Sequence, residues 1–133
     1  MILVLLCPRL QHLRHLGPVA AAAKARGWRV AFFCPNGGPK DDAARNLAVV
    51  EREGGGPAIE VTGATELVDM LALAKADAVL AVGLRMPSWM RQHVMPQTRA
   101  RGVRWVSVGY LAEELLQVLE DGPALLSEWD VAT

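Results

Sequence analysis

The sequence predicts an α/β domain: a Rossmann-like three-layer α/β/α sandwich built on five parallel strands in the order 3-2-1-4-5. Three observations predict it. Short apolar runs rich in Ile, Leu and Val, as in strands covered on both faces, alternate with longer helical patterns. The first, second and fourth of these runs close on Pro8, Pro35 and Gly83, residues that end regular structure. The chain has 133 residues, 52% hydrophobic and 21% charged, which suits one compact core and leaves no room for a second full domain.

Residues 1–7 are a continuous apolar run that Pro8 ends. A helix is expected over 13–26, with Leu16, Val19, Ala20 and Ala23 at three- and four-residue spacing and Gly27 as its stop. The second strand is 28–34, closed by Pro35-Asn36-Gly37-Gly38. A polar-faced helix follows over 41–53 with Leu47 and Val50 inward, then the connector Gly54-Gly55-Gly56-Pro57 and a short strand over 58–61. Thr65 is placed to cap a helix running to Lys75, with Leu67, Met70, Leu71 and Ala74 on one face.

The fourth strand is 76–83 and the fifth 103–108. Between them a helix over 88–101 carries Pro96, which predicts a break with Pro96 as first residue of a second short helix. A helix over 111–120 places Leu115, Leu116 and Leu119 on an apolar face and stops at Asp121-Gly122-Pro123. The domain is thus expected over 1–122, with 123–133 a C-terminal helix or a linker edge. Strands alternating with helices at this spacing make right-handed βαβ units.

Fourteen basic residues balance fourteen acidic ones, so no global field would hold the protein on nucleic acid or an anionic membrane. The charges are segregated. Between 78 and 104 the basic residues are Arg85, Arg91, Arg99, Arg101 and Arg104 with no acid; after Trp105 come Glu113, Glu114, Glu120, Asp121, Glu128 and Asp130 with no base. An anion-seeking surface is expected in the first stretch. The apolar start lacks a basic leader and a cleavage site, no uncharged run approaches membrane length, and two cysteines make no disulfide framework. A reducing cytoplasm is the expected location.

In an open parallel sheet, ligands bind beyond the carboxyl ends of the strands where strand order reverses. Here that is between strands one and four. The loops meeting there are 8–12 and 83–88, with 35–40 alongside. Neither a G-x-G-x-x-G fingerprint nor a P-loop occurs, which argues against an ordinary nicotinamide enzyme. The first loop and helix start instead carry Arg9, Gln11, His12, Arg14 and His15, a high density of polar groups for a βα junction.

Pro8-Arg9-Leu10-Gln11-His12-Leu13, the alanine-rich helix and Arg26-Gly27-Trp28-Arg29-Val30-Ala31-Phe32-Phe33 together resemble the opening of GT-B fold glycosyltransferases that use nucleotide-sugar donors. The fifteen positions between His12 and Gly27 agree with that family's pattern, as do the Ala76-Asp77-Ala78-Val79-Leu80 and Arg101-Gly102-Val103-Arg104-Trp105-Val106-Ser107 segments. Gln11, His15 and Trp28 stand where the family usually has glycine, proline and histidine. The resemblance implies the acceptor-side N-terminal half of a glycosyltransferase, incomplete without a donor-binding domain or subunit that brings the nucleotide sugar. By it His12 is the general base that deprotonates the acceptor hydroxyl, a task suited to an imidazole titrating near ~6.5. Arg9, Gln11, His15, Arg85, Ser88 and Trp89 would line the acceptor cleft, the arginines favouring an anionic acceptor. No cofactor is implied.

Other readings of the same residues stay open. One is a free-standing flavodoxin-like or nucleotide/anion-binding module that uses the crevice without chemistry; another is a protein-interaction domain. His12 and His15 would need a third ligand to hold a metal, and none lies nearby, so no metal site is assigned. Cys7 and Cys34 end adjacent strands and read either as small buried hydrophobes or as a redox pair. Gly37-Gly38 is either a plain turn or a phosphate cradle before a helix. Met86, Trp89 and Met90 would suit a lipid-linked acceptor, a peripheral membrane contact or a homodimer, or else pack in the core.

Overall fold

A computed structural model describes residues 1–84, 86–109, 116, 120 and 128–132. Its strands are β1 (Ile2–Leu6), β2 (Arg29–Pro35), β3 (Ala58–Val61), β4 (Ala78–Val82), β5 (Arg104–Val108) and β6 (Val131–Ala132). All pair in parallel, in the order β3-β2-β1-β4-β5-β6, so the predicted 3-2-1-4-5 arrangement is present and gains one two-residue strand outside β5. The helices are α1 (Leu13–Ala25), α2 (Leu47–Gly54), α3 (Gly63–Leu73) and α4 (Met95–Ala100).

Alternation along β1 sorts the core into two halves. Leu3, Leu5 and Cys7 point to one face, where α1 and α2 contribute Leu16, Ala20 and Val50. Val4 and Leu6 point to the other, where α3 and the β4–β5 connection contribute Leu67, Leu71, Met90, Val94 and Met95. Because side chains of a strand leave on alternate faces, a run apolar at every position requires cover on both sides, which is the predicted three-layer sandwich.

Several boundaries differ from the sequence reading for physical reasons. The helix expected over 41–53 begins as a 3₁₀ turn, Ala43–Arg45, and starts again at Leu47 after Asn46 leaves helical geometry. Asp42 is drawn away from a helix start because its Oδ1 accepts the Leu10 amide at 2.8 Å, and the Ala43 amide donates to the Pro8 carbonyl at 3.3 Å. In the third helix Thr65 lies inside α3, and the residue at the cap position is Thr62. At Pro96, the break takes the form of a π-turn, Met90–Val94, running directly into α4. A proline has no amide for the carbonyl four residues back, and widening the preceding turn absorbs that loss.

Residues 128–132, within the stretch expected as a C-terminal helix or linker edge, pack against β5. Trp129 is 6% exposed and meets fully buried Trp105 edge to face, with ring centroids 6.3 Å apart. The Asp130 amide donates to the Trp105 carbonyl at 2.8 Å, and the Trp105 amide donates to Asp130 Oδ2 at 2.7 Å. Most of the helices expected over 111–120 and 123–129 lie outside the described residues; of the first, Leu116 and Glu120 are helical and exposed, so Leu116 does not face the core.

The same segment corrects the expected anion-seeking surface. Arg91 makes a two-pronged contact with Glu128, Nε to Oε2 at 2.9 Å and Nη2 to Oε1 at 2.8 Å, and Arg99 Nη2 reaches Asp130 Oδ1 at 2.8 Å. Two of the five arginines between 78 and 104 are therefore neutralised by acids folded back onto them.

These contacts make stability depend on acid. Partial burial pushes the Asp130 carboxyl up, but the Trp105 amide, Arg99 and Arg104 outweigh it and hold the group below the usual carboxylate range. A carboxyl depressed on folding stabilises above its unfolded value, near ~4, and that contribution disappears as pH falls through the folded value. Asp130→Asn is thus expected to unfold at lower urea than the native chain at pH 7. The gap between them should narrow steadily below about pH 5. A gap that is constant with pH would show that the carboxylate charge is not what holds this edge.

Candidate functional site

The loops after β1, β2, β4 and β5 meet in an open crevice of about 1100 Å³ at the carboxyl edge of the sheet. Its place is the one parallel topology dictates: strand order reverses between β1 and β4, so their loops splay apart and leave a gap.

The β1–α1 junction supplies one wall. Pro8 ends the strand, Arg9 stays extended, and Leu10–His12 form a 3₁₀ turn that leads straight into α1. The turn is pinned by the His12 amide bonding to the Arg9 carbonyl at 3.1 Å and by Asp42 on the Leu10 amide. Arg9, Gln11, His12, Arg14 and His15 consequently all line the crevice. Of the residues assigned to an acceptor cleft, Trp89 also lines it; Ser88 is exposed at the helix start and is not among the lining residues. Arg85 lies outside the described residues.

The β2–α2 loop forms the second wall with Gly37, Gly38, Pro39, Lys40 and Asp41. Asp41 Oδ2 accepts the Gly37 amide at 2.9 Å, and the Asp41 amide bonds to the Gly38 carbonyl at 3.1 Å. The loop is therefore a self-satisfied turn, and the Gly37 amide is already spent rather than offered to a phosphate. What this loop brings to the crevice is the Lys40 ammonium and a backbone without side chains at two positions.

The third wall follows β4. Gly83 has φ +83°, its amide bonds to the Val108 carbonyl at 3.0 Å, and Ser107 Oγ donates to the Gly83 carbonyl at 2.6 Å. Beyond it Met86, Pro87 and Trp89 present an apolar surface. Met90 is 1% exposed and packs in the core, which corrects its assignment to a membrane or dimer contact alongside Met86 and Trp89.

One lining residue was not singled out from the sequence. Gly109, just past β5 with φ +66°, sits so close to the His15 imidazole that a Cβ there would fall 2.7 Å from Nδ1. Its only sequence signal is that it ends an apolar strand as Gly83 does, and its pairing with His15 spans most of the chain.

Cys7 and Cys34 stand one position beyond the paired Leu6 and Phe33, at the ends of β1 and β2, both fully buried and reduced. The Cys7 thiol donates to the Arg9 carbonyl at 3.3 Å. Contact with Cys34, then burial, raises its pKa above the ordinary thiol range. A buried, protonated thiol is a poor nucleophile, so Cys7 serves as a small apolar group, while the same contact lowers the pKa of buried Cys34 against the opposing effect of its burial.

The electrostatics are one-sided. Among the described lining residues Arg9, Arg14 and Lys40 stand against one carboxylate, Asp41. Among the described residues no group of three or more His, Cys, Asp or Glu is arranged to hold a metal ion, and no helix is long and apolar enough to cross a membrane.

No family model matches the chain, and no curated protein matches it. Solved structures similar to it include a universal stress protein from Archaeoglobus fulgidus, 19% identical with a TM-score of 0.43, covering 73% of this chain and 87% of that one. Another is a universal stress protein in complex with cAMP, 16% identical with a TM-score of 0.43, covering 82% of this chain and 97% of that one. These neighbours are universal stress proteins and not GT-B glycosyltransferase halves, which corrects the resemblance drawn from the Pro8–Phe33 pattern. An apolar strand, a Pro-bearing loop and an alanine-rich helix ending in Gly is what any βαβ opening requires, so that pattern marked the architecture and not a sugar transferase. The base role of His12 and the donor-domain requirement were implied by that resemblance alone.

Proposed function

We propose that the protein is a nucleotide- or anion-binding α/β module that takes a small phosphate- or carboxylate-bearing molecule into this crevice without covalent chemistry. The observation that carries the reading is the excess of cations over carboxylate among the described residues of a concave site at the switch point of the sheet. Arg9 sits half-buried at the base of the first loop, where its guanidinium can meet an anion two-pronged, while Lys40 adds a point charge from the neighbouring loop. His15, held against Gly109, adds a ring nitrogen for hydrogen bonding.

AMP or inorganic phosphate, at a concentration a hundredfold above its Kd, is expected to raise the melting temperature by on the order of 5–10 °C. Neutral sugars should leave it unchanged. Arg9→Ala and Lys40→Ala should each weaken AMP binding by about tenfold, the cost of losing one charged hydrogen bond. Salt should weaken native binding more than binding by either variant. Absence of any shift or calorimetric signal with both anions would reject the proposal.

A further inference from the structure

The anion-binding reading leaves unexplained the apolar surface that Met86, Pro87 and Trp89 give the crevice, and we infer that this surface is a subsite for a planar aromatic ring, with Trp89 as the side chain on which the ring stacks. The inference rests on that reading and adds to it the class of molecule: an aromatic ring, such as a nucleobase, carried on a phosphate.

Among the described residues, cations and apolar surface occupy different parts of the crevice. Arg9 and Arg14 come from the segment after β1 and Lys40 from the loop after β2, whereas the lining residues described after β4, namely Gly83, Met86, Pro87, Trp89 and Met90, carry no charge. A ligand that satisfied only the cations would leave half-buried Trp89 and Met86 facing water across an open cavity. A molecule with an anionic end and a flat apolar end satisfies both.

Trp89 stands at the start of the π-turn Met90–Val94. Trp89 is half-buried and lines the crevice, whereas the next residue, Met90, is 1% exposed and packs in the core. Such wide turns cost stability and recur at functional sites. Gly37 lies beside the edge of the indole, where a Cβ on it would meet Trp89 Nε1 at 3.9 Å, and neither Gly37 nor Gly38 has a side chain to cover the ring. The described residues at this end of the crevice offer an indole, a thioether and glycine backbone, which suits stacking rather than reading of a base edge by hydrogen bonds.

Base-on-aromatic stacking tolerates different bases because every base has a π-face. AMP should therefore bind on the order of tenfold more tightly than ribose 5-phosphate in calorimetric titrations, and UMP should fall between them. Trp89→Leu, which keeps apolar bulk, should remove the advantage of AMP while leaving ribose 5-phosphate affinity unchanged. Trp89→Phe should keep most of it. AMP should also quench tryptophan emission in the native chain and not in Trp89→Phe.

Equal affinity for AMP and ribose 5-phosphate in the native chain, or an AMP preference that survives Trp89→Leu, would overturn the ring subsite while leaving the anion site standing. Loss of ribose 5-phosphate along with AMP in Trp89→Leu would overturn it too, because the indole would then be shaping the crevice. If neither phosphate compound binds the native chain, the anion reading itself fails.

Discussion

Trp105→Ala is expected to lower the free energy of unfolding by about 3–5 kcal/mol, the cost of emptying a large buried aromatic site, against a total of about 5–15 kcal/mol for a domain of this kind. Trp105 is fully buried on β5 and supports three neighbours at once. Its ring meets Trp129 edge to face, and its indole N–H donates at 2.9 Å to Thr98 Oγ1, which in turn donates to the Val94 carbonyl at 2.8 Å. Removing the ring leaves a cavity between β5, α4 and the strand-bearing C-terminal segment, and it strips the facing Trp129 of its partner. Trp105→Phe fills most of the volume and loses only the hydrogen bond, so about 1–2 kcal/mol is expected. Urea unfolding followed by far-ultraviolet circular dichroism measures both. A cost below about 1 kcal/mol for the alanine variant would mean that the β5 edge is not part of the cooperative core.

Gly54→Ala is expected to destabilise even though alanine is the better helix former. At the last residue of α2, the propensity gain would be about 0.5–1 kcal/mol. A Cβ there, however, would fall 2.5 Å from Phe32 Cζ and 2.8 Å from Cε2, and Phe32 is fully buried on β2 with nowhere to withdraw. Overpacking of this kind costs about 1–3 kcal/mol, so steric conflict outweighs propensity and a net loss of about 1–2 kcal/mol follows. Phe32→Leu in the same chain should recover part of that loss by shortening the ring that causes it. If the single substitution raised the urea midpoint, the close approach of α2 to β2 would be wrong.

Both effects are tertiary, and they mark where the reading of the sequence stopped. The five strands, their parallel order and the crevice loops were legible because they follow from local pattern: apolar runs such as 1–7, breaks at Pro8 and Gly83, and helical spacing at Leu16, Ala20 and Ala23. Arg9, Gln11, His12, His15 and Trp89 were found for the same reason, since a βα loop at the switch point lies at the binding edge whatever its residues. The glycosyltransferase resemblance failed because it read that shared architecture as chemistry. The Gly54-Gly55-Gly56 run looked like a flexible connector, and only packing shows that its first member makes room for the Phe32 ring.

The sequence by itself determined which segments are strands, which faces are apolar and which loops reach the crevice, because those properties depend on neighbours within a few residues along the chain. Tertiary structure alone decided that Glu128 and Asp130 would neutralise Arg91 and Arg99, that Trp129 would find Trp105, and that Gly109 would meet His15. These partners lie 24 to 94 positions apart. Their meeting depends on how the layers stack, and no local periodicity records that.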